Sequence, residues 1–466
     1  MATFDTIFID GEWVPPRGTD SVDVVDPATG DIAGRVPSCN EQDVDSAVAA
    51  ARRAFPSWST TTAAVRIEVL QRLIELLRKN AEELAHLVSI EMGAPHEFAL
   101  AEHVGTPIAM IESFVNALAA EQPEERIGNS LIVREPIGVV AAITPWNYPL
   151  YQLVAKAIPA VAAGCTVVVK PSELAPLSTF RFTELVAEAG LPAGVFNLVP
   201  GRGVVVGEAL STHVDVDMVS FTGSTGAGRR VAASAAHTIK RVALELGGKS
   251  ASVILPGADL SEAVPYSVEY CMANAGQSCS AWTRLIVPRA VAAEVETIAA
   301  VAATAIEGTL GPAASRGQYH QVQDYIRVGV EEGARLVTGG PGNPDGGDDG
   351  NYNRVTVFAD VTPDMRIAQE EIFGPVLVIQ TYDTIDEAAD IANGTPYGLH
   401  GAVWAKTDEE ALAFARRLRT GQVDVNGGDF NVDAPFGGYK QSGVGRELGR
   451  IGLEEFYETK SIQLPS

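Results

Sequence analysis

Residues 138–145 read GVVAAITP, and residues 164–172 read GCTVVVKPS. Each is a short apolar stretch of β-branched and small residues closed by proline. A strand with water on one face alternates apolar and polar side chains. An uninterrupted apolar run suits a strand covered on both faces. GVFNLVPG (194–201) and VDMVSFTG (216–223) repeat the pattern. The intervening segments are long enough for crossover helices, so the alternation predicts a parallel sheet with helices on both faces. A second set follows: RLIVP (284–288), GPVLVIQTYD (374–383), GAVWAKT (401–407) and GQVDVNG (421–427). The chain therefore reads as two α/β units. Upstream, Leu70, Leu73, Leu77, Ala81 and Leu84 recur at helical spacing within 63–92, a run ended by Gly93 and Pro95. The Gly- and Asp-rich stretch GGPGNPDGGDDGNYN (339–353) reads as a surface loop or hairpin.

The bulk numbers narrow the function classes. A length of 466 residues suggests two or three domains. Thirty-four Lys and Arg against 59 Asp and Glu leave a net charge of −25, which repels nucleic acid and anionic membrane. No apolar run is long enough to span a bilayer. The N-terminal MATFDTIFIDGEW has two aspartates, no basic n-region and no signal-type apolar core, so a cytoplasmic location is expected. Four cysteines without a CxxC fit a reducing compartment. Seven histidines without HxxxH or HExxH give no reason to expect a catalytic metal.

Three motif-like stretches fail on inspection. GRGVVVG (201–207) has GxGxxxG spacing, not the GxGxxG of a dinucleotide fingerprint. GGKS (247–250) resembles the end of a P-loop, but Ala243 stands where its first glycine belongs. GQSCS (276–280) resembles GxSxG with serine in place of the last glycine, which disfavours Ser278 as a hydrolase nucleophile.

Cys279 has another context. Cys165 begins an apolar strand and Cys271 lies in a helical stretch, both places for buried thiols. Cys39 lies in a polar loop before a predicted helix, with no obvious helper. Cys279 is surrounded by Gly276, Gln277, Ser278 and Ser280. A nucleophile in a substrate loop and a bland buried thiol both fit that setting. Glu245, in LELGG, is either a carboxylate bonding backbone amides at a strand end or a general base in a partly apolar site. Asn147, between the prolines of TPWNYP (144–149), is either part of a packed turn or an amide held to donate to an oxyanion.

Seven elements occur in order over nearly the whole chain: PWNYP, VVVKPSE, FTGST, LELGGKS, GQSC, EEIFGPV and PFGGYKQSGVGRE. Together they resemble the NAD(P)-dependent aldehyde dehydrogenase superfamily. The resemblance implies a Rossmann-like dinucleotide-binding domain at 1–117 and 137–246 and an α/β catalytic domain at 247–441. It also implies a β-flap at 118–136 and 456–466 that joins subunits into a homodimer or homotetramer, with Arg446 and Glu458 structural. It places the nucleophile at Cys279, the general base at Glu245 and an oxyanion donor at Asn147. The implied cofactor is NAD, with NADP possible. Its expected contacts are Thr144, Trp146, Lys170, Glu173, Gly203, Gly223, Ser224, Leu246, Glu371 and Phe373. The Glu173 carboxylate favours NAD, because a 2′-phosphate would meet its charge.

Two departures from the pattern of many relatives stand out. Gly226 and Ala227 follow GST where glutamate and a branched residue are common, and Trp282 stands three residues after the cysteine where a small residue is common. They bear on the phosphate loop and the pocket wall. The substrate implied is a small-molecule aldehyde in a channel lined by Tyr148, Tyr151, Phe430 and Phe436, which favours apolar or aromatic compounds. Arg284 is the nearest arginine after Cys279, and its direction decides whether an acidic aldehyde has a partner. The expected reaction is oxidation to a carboxylate through a thioester hydrolysed by water. The alternatives are a CoA-acylating aldehyde dehydrogenase and a non-catalytic NAD-binding relative.

Overall fold

The computed structural model describes residues 2–121, 124–344 and 350–465. Residues 345–349 of the expected 339–353 loop, and 122–123 of the expected flap, lie outside the described residues. Five parallel strands build the first sheet: β1 (Val139–Ile143), β2 (Thr166–Lys170), β3 (Phe196–Leu198), β4 (Met218–Thr222) and β5 (Arg241–Glu245). Their spatial order is β5-β4-β1-β2-β3. Every residue of β1, β2 and β4 is buried, the polar Thr166, Lys170, Ser220 and Thr222 included, as strands covered on both faces require. The chain moves outward from β1 to β3, then returns to lay β4 on the other side of β1. A crevice opens at such a reversal, outside the carboxyl ends of the strands, and this is where α/β sheets bind ligands. The hairpin Ile7–Ile9 and Glu12–Val14 extends the sheet beyond β3, and Gly443–Val444 extends it beyond β5.

The second sheet contains β6 (Ala251–Ile254), β7 (Arg284–Pro288), β8 (Thr356–Ala359), β9 (Val376–Tyr382), β10 (Gly401–Trp404) and β11 (Asp424–Val425). They run parallel in the order β8-β9-β7-β6-β10-β11, with Arg335–Thr338 added antiparallel to β8. A separate antiparallel sheet joins Glu124–Ile127, Ser130–Pro136 and Tyr457–Gln463, with partners from Tyr457↔Pro136 to Gln463↔Ser130. A further small sheet of Ala2–Thr3, Ile32–Ser38 and Asp20–Val25 was not among the expectations.

The helical run at 63–92 is two helices, Ala63–Lys79 and Ala81–Met92. Asn80 interrupts it: its backbone leaves helical geometry, and its side-chain amide donates to Leu76 O at 2.7 Å. Apolar spacing continues across the break, so periodicity does not reveal it. From the second helix the buried Glu91 reaches Leu177–Glu188, accepting from the Leu177 N–H, the Ser178 N–H and the Ser178 hydroxyl. Ala99–Gly105 then winds as a π-helix into the helix Thr106–Ala119. In helix Pro149–Ala163 every residue except Tyr151 is buried. That helix packs beneath the site and leaves Tyr151 to face the channel described next.

Candidate active site

Cys279 lies on the loop after helix Leu260–Met272. Asn274, Ala275 and Gly276 take φ of +53°, +55° and +70° there. Gly276 is required twice over, because a Cβ would also stand 2.1 Å from Gly374 O. The fully buried Gln277 anchors the loop. Its Nε2 donates to Asn274 O at 3.1 Å and Pro312 O at 3.3 Å, and its Oε1 accepts from the Ala314 N–H at 2.8 Å. Asn147, just beyond β1, locks onto the same loop. Its Nδ2 donates to Gln277 O at 3.0 Å, while Asn274 Nδ2 donates to Asn147 O at 2.9 Å. The PWN turn of the first sheet and the GQSC loop of the second thus fix each other.

Cys279 is half-buried, whereas Cys39, Cys165 and Cys271 are buried. Cys39 lies in the expected loop, between strand Ile32–Ser38 and helix Glu41–Trp58, with its side chain closed off from solvent. Burial raises the Cys279 thiol above the ordinary cysteine range, and the Glu245, Glu371 and Glu447 carboxylates add to the effect. The resting sulfur is therefore held as the thiol.

Glu245 ends β5 and is 4% exposed, and neither carboxylate oxygen has a hydrogen-bond partner among the described residues. Burial, and then the nearby Glu447, raise its pKa well above the usual carboxylate value. Gly437 makes room for it, since a Cβ there would lie 2.6 Å from Glu245 Oε1. Behind it is a buried ion pair, Lys156 Nζ to Glu447 Oε1 at 2.6 Å, with Gln152 Oε1 accepting from the same ammonium at 3.1 Å. Sequence reasoning missed Lys156 and Glu447. The available signal was a lysine inside the otherwise apolar LVAKAIPAVAAG.

A cavity of about 350 Å³ leads to Cys279, and Tyr148, Tyr151, Phe430 and Phe436 all line it. Ser278 is a wall residue whose Oγ lies 3.1 Å from Ser280 Oγ. The π-helix brings Glu102 to the wall and stacks His103 behind Tyr148, with ring centroids 4.6 Å apart. Glu102, Tyr266, Glu269, Tyr270, Asp424 and Asp429 also line the cavity and were not anticipated. Trp282 is one layer behind the wall, fully buried and stacked 3.9 Å from Tyr270. Arg284 is turned away, donating to the carbonyls of Lys249, Ile391 and Ala392 at 2.7–2.9 Å. Arg446 donates to Gly438 O and Gly445 O, and Glu458 pairs with Arg241 at 3.0 Å.

Thr144, Trp146, Lys170, Glu173, Gly203, Gly223, Ser224 and Leu246 lie at or just past the carboxyl ends of the five parallel strands. Lys170 Nζ is buried, donates to Pro171 O at 2.6 Å and lies 3.6 Å from Glu173 Oε2. Ser224 caps helix Thr225–Ala235 through the Ala227 N–H at 3.2 Å. At Gly203 and Gly226 a Cβ would meet open space. The Thr144 and Thr222 hydroxyls are buried and without partners among the described residues. Leu246 packs beneath the same helix, 2.4 Å from where a Cβ on Gly228 would lie. Phe373, at φ +61°, sets its ring edge-to-face with Trp146 at 5.4 Å. The Glu371 carboxylate accepts from the Gly248 N–H at 3.0 Å, and burial raises its pKa to about 7. An open helix N-terminus with orphaned hydroxyls and a Lys–Glu pair beside it fits a dinucleotide.

The model of the aldehyde dehydrogenase family matches residues 13–462. A 3-succinoylsemialdehyde-pyridine dehydrogenase from Pseudomonas sp is 47% identical over 99% of each chain. The crystal structure of a cysteine-to-alanine mutant of aldehyde dehydrogenase C from Pseudomonas syringae, complexed with NAD+ and octanal, superposes with a TM-score of 0.97 at 51% identity. It covers 98% of this chain and 96% of that one. A Mycobacterium tuberculosis aldehyde dehydrogenase complexed with NAD+ has a TM-score of 0.97 at 42% identity, covering 100% and 99%. With this fold and a match of such extent, the chain is a member of the aldehyde dehydrogenase family.

Proposed function

We propose that this enzyme oxidises an aldehyde to a carboxylate with NAD, through a thioester on Cys279 that water releases. The observation that carries the reading is the buried loop which sets Cys279 at the base of the cavity and ties it to Asn147 through Gln277 O. The Cys279 thiol passes its proton to the ionised Glu245 carboxylate, which releases it to solvent, and the sulfur adds to the carbonyl carbon to form a tetrahedral alkoxide. The Asn147 amide uses one hydrogen on Gln277 O; its second is free to donate to that alkoxide. A donor of this kind is worth about 2.7–4 kcal/mol of transition-state stabilisation. NAD held at the carboxyl ends of the five parallel strands would supply the hydride acceptor that the collapse of the alkoxide to the thioester requires. Glu245, freed of its proton, removes one from the water that attacks the thioester, and Cys279 leaves as the thiolate and takes that proton back from Glu245, restoring the resting thiol.

The dinucleotide is assigned to 1–117 and 137–246, catalysis to 247–441, and subunit contact to the flap at 118–136 and 456–466. Lys170 and Glu173 are assigned to the adenosine ribose, with Glu173 favouring NAD over NADP. Ser224, Gly223 and Trp146 are assigned to the pyrophosphate, Glu371 and Phe373 to the nicotinamide end, and Thr144, Gly203 and Leu246 to the walls of the same site. Octanal in the Pseudomonas syringae complex and the pyridyl semialdehyde in the relative's name support an elongated or aromatic substrate. Four unpaired cysteines suit a reducing, cytoplasmic setting.

The test is NADH formation from an aldehyde panel, with and without CoA. Turnover without CoA is expected, and an absolute CoA requirement would establish the acylating alternative. Cys279→Ala should abolish turnover while NAD binding, followed by calorimetry, persists. Loss of NAD binding, or substantial residual turnover, contradicts the nucleophile assignment.

A further inference from the structure

The cavity wall is uneven in charge. Glu102, Glu269, Asp424 and Asp429 line it, and no Lys, Arg or His does so among the described residues. Arg284, the nearest arginine after Cys279, is committed to three backbone carbonyls. The carboxylates are interleaved with aromatic faces: Asp424, Asp429 and Glu269 all act on the Tyr266 phenol. Aromatic faces attract cations, and interleaved carboxylates reinforce that attraction.

A second, independent arrangement points the same way. Behind the wall, the Trp282 indole lies 3.4 Å from His400 Nδ1. An indole N–H can only donate, so Nδ1 must be the unprotonated nitrogen and the ring proton is on Nε2. Nε2 stands 3.1 Å from Asp424 Oδ2. The Tyr270 hydroxyl is also 3.2 Å from Nδ1. Because Nδ1 is an acceptor, Tyr270 donates its proton there, away from the cavity. The phenolic oxygen accepts from the Ser280 hydroxyl and keeps its second lone pair for a substrate. Trp282 thus sets the His400 tautomer, and His400 makes Tyr270 an acceptor.

We propose that the channel selects aldehydes carrying a positive charge at the end remote from the carbonyl, and rejects aldehydes ending in a carboxylate, through the Glu102, Glu269, Asp424 and Asp429 carboxylates and the acceptor-only Tyr270. This rests on the dehydrogenase reading above and adds the substrate class. Trp282 and His400 are positioning residues in it.

Three probes of similar length test it: 4-(trimethylammonio)butanal, its uncharged isostere 5,5-dimethylhexanal, and 6-oxohexanoate. The expected order of kcat/KM is cation, neutral, anion, with steps of about tenfold or more. In the exposed pair Glu269→Gln and Asp429→Asn, the cation-to-neutral ratio should fall severalfold. Trp282→Phe keeps the stacked ring but removes the indole N–H, and should lower the same ratio. NADH formed equally well from the cation and the isostere, or from the anion and the isostere, overturns the proposal and leaves the dehydrogenase reading intact. An undiminished ratio in the Glu269 and Asp429 double variant overturns the assignment to these carboxylates. NADH from none of the three overturns the dehydrogenase reading and this one with it.

Discussion

Glu245 is a carboxylate whose setting works against its charge. It is buried, neither oxygen has a partner among the described residues, and Glu447 lies nearby. All of this favours the protonated form. Its pKa lies above the usual carboxylate range, so the base becomes available only as pH rises through that raised value. The proposed base role therefore predicts turnover that climbs with pH above the usual carboxylate range. In Glu245→Gln the acyl-enzyme should accumulate, seen as a burst of NADH followed by a slow steady state. The alkaline rise in deacylation should also be lost. Unchanged steady-state turnover across this range rejects the assignment. At this scale the local sequence offered two readings for each candidate, and only the resemblance carried by the ordered motifs implied a catalytic role. Cys279 stands among small polar neighbours and Glu245 at a strand end before two glycines. Lys156 and Glu447 are 291 positions apart, and only the folded chain makes them a pair.

The elements of the site were legible to different depths. Continuous apolar runs marked the parallel strands because burial on both faces leaves no polar alternation. The π-helix Ala99–Gly105 has no counterpart in periodicity, since one widened turn shifts the apolar spacing too little to read. Nor does GQSC itself reveal what holds the cysteine loop. Gln277 does so by filling its amide with partners from Asn274, Pro312 and Ala314. Gln277→Leu keeps the bulk and removes those bonds. It should strand the Ala314 N–H at a cost of about 1–3 kcal/mol. Letting the Cys279 loop shift relative to Asn147 should lower kcat/KM by about 100-fold. The fall should lie mainly in kcat, with NAD affinity retained; a variant with wild-type kcat would show that the loop keeps its position without this anchor.

The whole molecule carries a net charge of −25, so any two copies repel one another over the range of the Debye length. The two large α/β sheets followed from local patterns. The return of Gly443–Val444 to the first sheet did not, because that pairing depends on where the second sheet leaves the chain. The flap stands apart from both sheets, and Tyr457–Gln463 is an edge strand, paired to Ser130–Pro136 on one side only. An edge strand offers unpaired backbone groups to another chain. Ile127 and Ile462 are exposed on this sheet at 58% and 40%. If copies associate here through backbone pairing and apolar contact, salt should screen the repulsion without breaking the contact. Analytical ultracentrifugation is expected to show a dimer or tetramer that persists, or tightens, as ionic strength rises. Deleting residues 458–466 should yield monomers, because it removes the edge strand and leaves Ser130–Pro136 paired only to Glu124–Ile127. A native chain that sediments as a monomer, or a truncated chain of unchanged assembly, excludes the flap as the joining element. Dissociation by salt would instead assign the interface to ion pairs.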